Sequence, residues 1–230
     1  NVVRVRRSND NAEQDFTANE VENGTLTTFC GVGDGFVSVW YNRAINNHAR
    51  QTTANKQAKL VDNGILVTFN GLPTLDFGEN EGNLRDYNLD SEVVSNTVLA
   101  VVKVREYGFL SYLLFNDVVN QGFYLGGRFL NSDSGIGVFS EGTQYTLTGE
   151  TLNQQLIYFN HNGSGYNIAK DGNTETFFGG AAEVTINKIS RGDEKLEATS
   201  FVSEIITFDN NQSSLRSNIE TEINNHYAIY

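Results

Sequence analysis

Short runs rich in Val, Ile, Phe and Tyr recur along the chain, separated by clusters of Gly, Asn and Asp. Such apolar or alternating runs between turn residues are the signature of β-strands. Eleven of them predict strands: VVRVR (2–6), TLTTFC (25–30), FVSVWY (36–41), ILVTFN (65–70), TVLAVVKVR (97–105), FLSYLLFN (109–116), GFYLGGRFLN (122–131), QLIYFN (155–160), YNIAKDG (166–172), EVTINKI (183–189) and FVSEIITFD (201–209). No helices alternate with them, so the pattern predicts an antiparallel sandwich or jelly roll rather than a parallel α/β sheet. Asn-Gly in NHNGSG (160–165) and Asp-Gly in KDGN (170–173) mark tight turns that require positive φ.

One helix is predicted, at the end of the chain. In 211–230 the apolar residues Leu215, Ile219, Ile223 and Tyr227 recur every four positions, with Asn211 or Ser213 as caps. That single stripe should pack on a sandwich edge or beside the first strand, leaving a solvated polar face. The acidic stretch GENEGNLRDYNLDSE (78–92) reads as a surface loop. No repeat, proline-rich linker or charge block divides the chain, so 1–230 is expected to form one jelly-roll domain.

Composition narrows this further. The chain has 230 residues, 39% of them hydrophobic, with 15 Phe and 10 Tyr, which is enough apolar surface for a large core. Its net charge of −12 opposes nucleic-acid binding, and the Arg4, Arg6, Arg7 run reads as one solvated strand face. No stretch reaches the 18 or so apolar residues of a membrane helix, so membrane insertion is not expected. The chain starts at Asn1 and contains no Met, as expected of a processed product or a piece of a longer protein. Cys30, the only cysteine, excludes an internal disulfide and a cysteine metal cluster and reads as a small buried hydrophobe.

Candidate chemistry is sparse. No Gly-x-Ser-x-Gly elbow occurs, and His48, His161 and His226 all stand in Asn-rich segments. NSDSG (131–135) and DNAEQD (10–15) resemble calcium loops without the closing glutamate and read as turns, as does GVGDG (31–35). No metal or cofactor is expected. Glycoside hydrolysis needs two carboxyl groups about 5 to 9.5 Å apart; the candidates on or beside strands are Asp117, Glu183, Asp193, Glu204 and Asp209. Strict alternation puts Glu204 on one face with Val202 and Ile206, and the reading favoured for it is structural.

Three segments carry a resemblance: VRVRRSNDNAEQDFT (3–17), GTLTTFCGVGDGFVSVWY (24–41) and FVSEIITFDNNQSSLRSNIETEINNHYAIY (201–230). They resemble the catalytic-type domain of fungal arabinofuranosidase B, and more closely its relatives in phage and marine bacterial surface proteins. The resemblance implies a concanavalin A-like jelly roll, in agreement with the strand pattern, and a retaining mechanism with a glutamate nucleophile and an aspartate acid/base. The nucleophile should fall near Leu110, Ser111 and Tyr112, where no carboxylate stands, whereas Asp193 fits the acid/base. The family's acidic residue after Trp40 and Tyr41 is here Asn42, and the partner of its cysteine at Cys30 is missing.

The first expectation is therefore a non-catalytic structural or adhesion module of an extracellular assembly, such as a phage fibre, spike or capsid decoration on the virion or cell surface. Its partners would be other virion or surface proteins, cell-surface glycans and further copies in a homo-oligomer or larger assembly. Tyr124, Arg128 and Asp193 are the glycan-binding candidates, by aromatic stacking and hydrogen bonding, and Trp40 is expected in the core. The alternative is a retaining hydrolase of arabinose-containing polysaccharide, with Asp193 as acid/base and Glu204 or Asp117 as its partner.

Overall fold

The computed structural model describes residues 1–78, 85–104, 111–125, 135–149, 152–190 and 200–230. The N-terminal third holds β1 (Val3–Arg7), β2 (Glu13–Phe16), α1 (Ala18–Glu22), α2 (Thr25–Cys30), β3 (Gly35–Trp40), β4 (Ala49–Arg50), β5 (Lys59–Asp62), β6 (Ile65–Leu66), β7 (Thr68–Phe69), β8 (Leu72–Pro73) and β9 (Leu75–Asp76). Longer strands follow: β10 (Tyr87–Ser95), β11 (Thr97–Val104), β12 (Ser111–Asn116), β13 (Gln121–Leu125), β14 (Gly135–Ser140) and β15 (Thr143–Thr148). The last third comprises β16 (Gln155–His161), β17 (Gly165–Lys170), β18 (Thr176–Gly179), β19 (Val184–Ile189), β20 (Ser200–Phe208) and α3 (Arg216–Tyr227).

Every described pairing is antiparallel. One layer runs β18-β17-β16-β11-β20-β9. The other runs β15-β14-β13-β12-β19-β10-β4-β3-β1-β2. Strand β5 pairs with both β3 and β9, which joins the layers along one side. Phe123 of the second layer packs against Phe159 and Tyr166 of the first, at 4.9 and 5.6 Å between ring centroids. The core between the layers draws on residues from Val3 to Val202. This is the expected jelly-roll sandwich.

Helix α3 lies across the outer face of the first layer. Its Ile223 and Tyr227 pack with Leu99 and Val101 of β11, Leu156 and Tyr158 of β16 and Ala169 of β17. It covers a sheet face, therefore, and lies neither at the sandwich edge nor beside the first strand, the two places that the sequence pattern predicts. The apolar stripe is correct in its C-terminal half: Ile219 packs there too, whereas Leu215 is 49% exposed at the N-cap. Neither Asn211 nor Ser213 caps the helix; the Asn211 side chain instead accepts from the Ser213 amide in the turn before it.

Two other expectations change. TLTTFC forms α2 and not a strand: Leu26 and Cys30, four apart, are both buried, and Gly24 at φ 92° sets the turn from α1. Helix α1 carries a full capping box between Thr17 and Glu20, which commits the chain to helical turns just upstream. Within 78–92, Tyr87 opens β10, so that stretch is not a loop throughout. Its buried hydroxyl donates to the Val37 carbonyl and accepts from the Ala58 amide, tying β10 to β3.

Candidate functional site

Among the described residues, three polar clusters bear on the choice of a site. The first lies over β1–β4 and β10. Arg4 holds Asp15 at 2.7 and 3.0 Å, and the Tyr41 hydroxyl donates to Asp15 at 2.8 Å. Arg50 holds Asp90 at 2.6 and 3.2 Å, and the His48 amide donates to the same carboxylate. His48 meets Tyr41 edge to face, and its Nδ1 accepts from the Asn42 amide. Asn42 in turn accepts from the Ala44 and Ile45 amides, closing the loop. The guanidiniums of Arg4 and Arg50 hold the Asp15 and Asp90 carboxyls below the ordinary 3.8. With their lone pairs engaged inside the molecule, these groups act as scaffold. Trp40 is partly buried against the core; Arg6 bonds Gln57 and Asn11 over the Phe36 ring, whereas Arg7, the next residue and so on the other side of β1, bonds Asp10 and lies over the Phe29 ring, so the arginine run is not one strand face.

The second cluster lies beneath α3. Glu204 faces outward from β20 toward Tyr227, opposite Val101. A bulge between Val101 and Val102 breaks the strict alternation, so Val202 enters the core while Glu204 and Ile206 sit under the helix. The face shared by Glu204 and Val202 in the alternating register therefore does not exist. Burial pushes the Glu204 carboxyl above 4.5, and the Asp171 carboxyl likewise above 3.8. Nearby, Arg216 bonds Glu220 at 2.9 Å and Glu175 at 3.1 Å, with its guanidinium 4.7 Å from the Tyr158 ring centre.

The third cluster forms where the β12–β13 turn meets β10 and β19. The Asn116 amide donates to Glu92 at 2.9 Å and to the Thr185 hydroxyl at 2.8 Å. Gln121 donates to the same hydroxyl at 3.1 Å. With both lone pairs of Thr185 accepting, its hydrogen remains a donor. Asn116 is fully buried, and its carbonyl accepts from the Val118 and Val119 amides, which fixes the turn and presents those side chains 79% and 56% exposed. Asp117 is held by Lys188 at 2.8 Å and Asn187 at 2.7 Å, and these contacts, Lys188 foremost, keep its carboxyl below 3.8.

Next to this cluster, across Phe115, an aromatic layer covers the outer side of β12–β14: Tyr112, Phe115, Tyr124 and the partly buried Phe139. Tyr112 and Phe115 lie 4.5 Å apart between ring centres.

Of the residues singled out in the sequence, Arg128 and Asp193 lie outside the described residues, as does Leu110. Tyr124 is fully buried in the aromatic layer, its hydroxyl donating to the Tyr145 carbonyl and bonding Thr146. Burial pushes that hydroxyl up to about 12. Its ring supports the surface and is not itself the surface. Glu183 and Asp209 are exposed at strand ends. Asp117 is bound as an ion pair, and Glu204 belongs to the helix-covered face, so among the described residues these two stand in different layers. The Glu92, Asn116, Gln121 and Thr185 group escaped sequence reasoning. Its only signal was polar residues set into strands and a turn that otherwise read as apolar.

No protein-family model matches the chain, and no curated protein sequence does. Solved structures similar to it include a family-66 carbohydrate-binding module from Bacillus subtilis, at 8% identity over 58% of this chain and 84% of that one, TM-score 0.39. A β-1,3-glucanase from Mycobacterium marinum matches at 10% identity over 70% of this chain and 88% of that one, TM-score 0.40. A pseudo β-1,3-glucanase of Mycobacterium tuberculosis matches at 15% identity over 66% and 78%, TM-score 0.37.

Proposed function

We propose that the chain is a non-catalytic carbohydrate-binding module whose contact surface is the β12–β13 turn cluster. One observation carries this reading: among the described residues the carboxyls that burial raises, Glu204, Asp171 and Glu220, belong to α3 and the layer it covers, while the exposed cluster offers fixed hydrogen-bonding groups. A hydrolase needs a proton donor in its cleft, facing a second carboxylate. A sugar-binding surface needs oriented donors and acceptors beside apolar contacts. Glu92, Gln121 and Thr185 supply the first, and Val118 and Val119 the second.

The resemblance carried by 3–17, 24–41 and 201–230 supports a setting on a virion or cell surface, with glycans and neighbouring proteins of the assembly as partners. A lone, buried Cys30, whose thiol burial pushes up to about 11, makes the fold independent of an oxidising compartment.

The test is gel electrophoresis through soluble arabinan, laminarin and levan, with reducing-sugar release measured in parallel. Retardation without sugar release, lost in the Glu92→Ala/Gln121→Ala double variant, is the expected result. Release of sugar that disappears in Asp193→Asn would establish the hydrolase reading instead. Mobility unchanged by all three polysaccharides would remove glycan binding to this panel.

A further inference from the structure

Residues 47–50 hold two things at once: the end of the loop that follows Trp40, and the bulge of β10 that carries Glu92. Between Asn88 and Val93 the register of β10 with β19 breaks, and the bulged residues take partners from the β4 side instead. Leu89 pairs with Ala49, and the Asp90 amide donates to the His48 carbonyl. The buried Asn47 side chain exchanges two bonds with the Ser91 backbone, accepting at 2.9 Å and donating at 3.0 Å. The His48 amide completes the set by donating to the Asp90 carboxylate at 3.1 Å.

The ring of His48 ties the loop to these residues. Asn42 folds the loop on itself by accepting from the Ala44 and Ile45 amides, and its own amide donates to His48 Nδ1 at 3.2 Å. An imidazole nitrogen accepts only while it carries no proton, so this bond belongs to the neutral ring with its hydrogen on Nε2. A solvent proton taken up at Nδ1 turns the acceptor into a donor and sets two N–H groups against each other. The groups around the ring then act on its new charge. Asp90 of β10 attracts it, whereas Arg50 of β4, bound to that carboxylate, opposes it. Arg4 of β1 and Arg43, exposed in the loop, also carry like charge, and Tyr41 meets the ring edge to face while its hydroxyl donates to Asp15 of β2.

We propose that His48 is an acid-sensitive latch. Neutral, it holds loop 42–47 and the 89–92 bulge as one unit; protonated, it releases the Asn42 amide and is drawn to Asp90, and both segments loosen. Glu92 stands in that bulge and accepts from Asn116, so the latch regulates the candidate glycan surface. That consequence rests on reading the β12–β13 cluster as a sugar site, whereas the latch itself does not.

Hydrogen exchange across the pH range in which imidazoles titrate, corrected for the intrinsic pH dependence of exchange, tests it at the amides of 42–47 and 89–92. The ring resonances of His48 are followed on the same sample. Protection in both segments is expected to fall about fivefold or more on acidification, the scale of one ordinary hydrogen bond. The midpoint should be that of the His48 ring and not of His161 or His226, which stand on β16 and α3. His48→Gln has no charge to gain and is expected to show flat protection over the same range. Protection indifferent to pH, a transition that survives in His48→Gln, or a response confined to 42–47 would each overturn the proposal. No sugar enters these measurements, so their failure leaves the glycan reading standing, and failure of polysaccharide to retard the chain leaves the latch standing.

Discussion

A single carboxyl shows how burial decides chemistry at the residue scale. Glu204 sits above its ordinary 4.5, first because burial penalises its anion, with the Tyr227 hydroxyl only partly restoring it. As pH rises from 4.5 toward the folded value, the unfolded chain releases this proton first, so the folded state loses stability through that window. Asp171 acts in the same direction. Asp15, Asp90 and Asp117 act oppositely: depressed below 3.8 by Arg4, Arg50 and Lys188, they contribute stability above 3.8 that is lost as pH falls through their folded values. The melting temperature is therefore expected to peak on the acid side of neutrality, and calorimetry from pH 3 to 8 should show the Glu204→Gln variant with a shallower decline above that peak. Gly137 makes a second residue-scale case, because a Cβ there would meet the Tyr145 carbonyl at 2.0 Å as well as the Tyr124 hydroxyl. Gly137→Ala is expected to cost about 1 to 3 kcal/mol by overpacking, read by denaturant unfolding.

Elements show where sequence periodicity was sufficient and where it was not. The long strands β11, β16 and β20 are legible because their apolar residues form continuous or alternating runs, as two-sided burial demands. TLTTFC is not, since β-branched Thr residues imitate a strand; the capping box of α1 and the spacing of Leu26 and Cys30 decide for helix. The bulge in β20 is invisible to a period of two, and it moves Glu204 out of register with Val202. Thr17→Ala is expected to cost about 1 kcal/mol through the lost cap. A larger effect belongs to α3. Arg216 is 12% exposed and serves both Glu220, 6% exposed, and Glu175. Arg216→Met would strand two carboxylates near the helix, and is expected to destabilise by about 3 kcal/mol. Adding Glu220→Leu should restore much of that loss in chemical denaturation, which a purely steric role for Arg216 would not allow.

For the whole molecule, charge and topology together set what it can contact. The layer pairing brings residues far apart in sequence, Glu92, Asn116 and Thr185, within hydrogen-bond distance, which no local pattern encodes. That is why fold class was readable and the candidate site was not: the strand rhythm is local, whereas the cluster exists only once β10, β12 and β19 are neighbours. The net charge of −12 then acts on every partner at long range. On the proposed reading, a neutral polysaccharide held by Gln121, Thr185 and the exposed valines carries no charge for ions to screen, so its affinity is expected to change less than about twofold between 0.02 and 0.5 M salt. An acidic polysaccharide is repelled by the same chain, and its binding should be absent at low salt and strengthen as salt is added. Affinity electrophoresis at both ionic strengths distinguishes this from ionic capture by the few arginines of β1. Capture of that kind would be strongest for the acidic polymer at low salt and would weaken as salt rises.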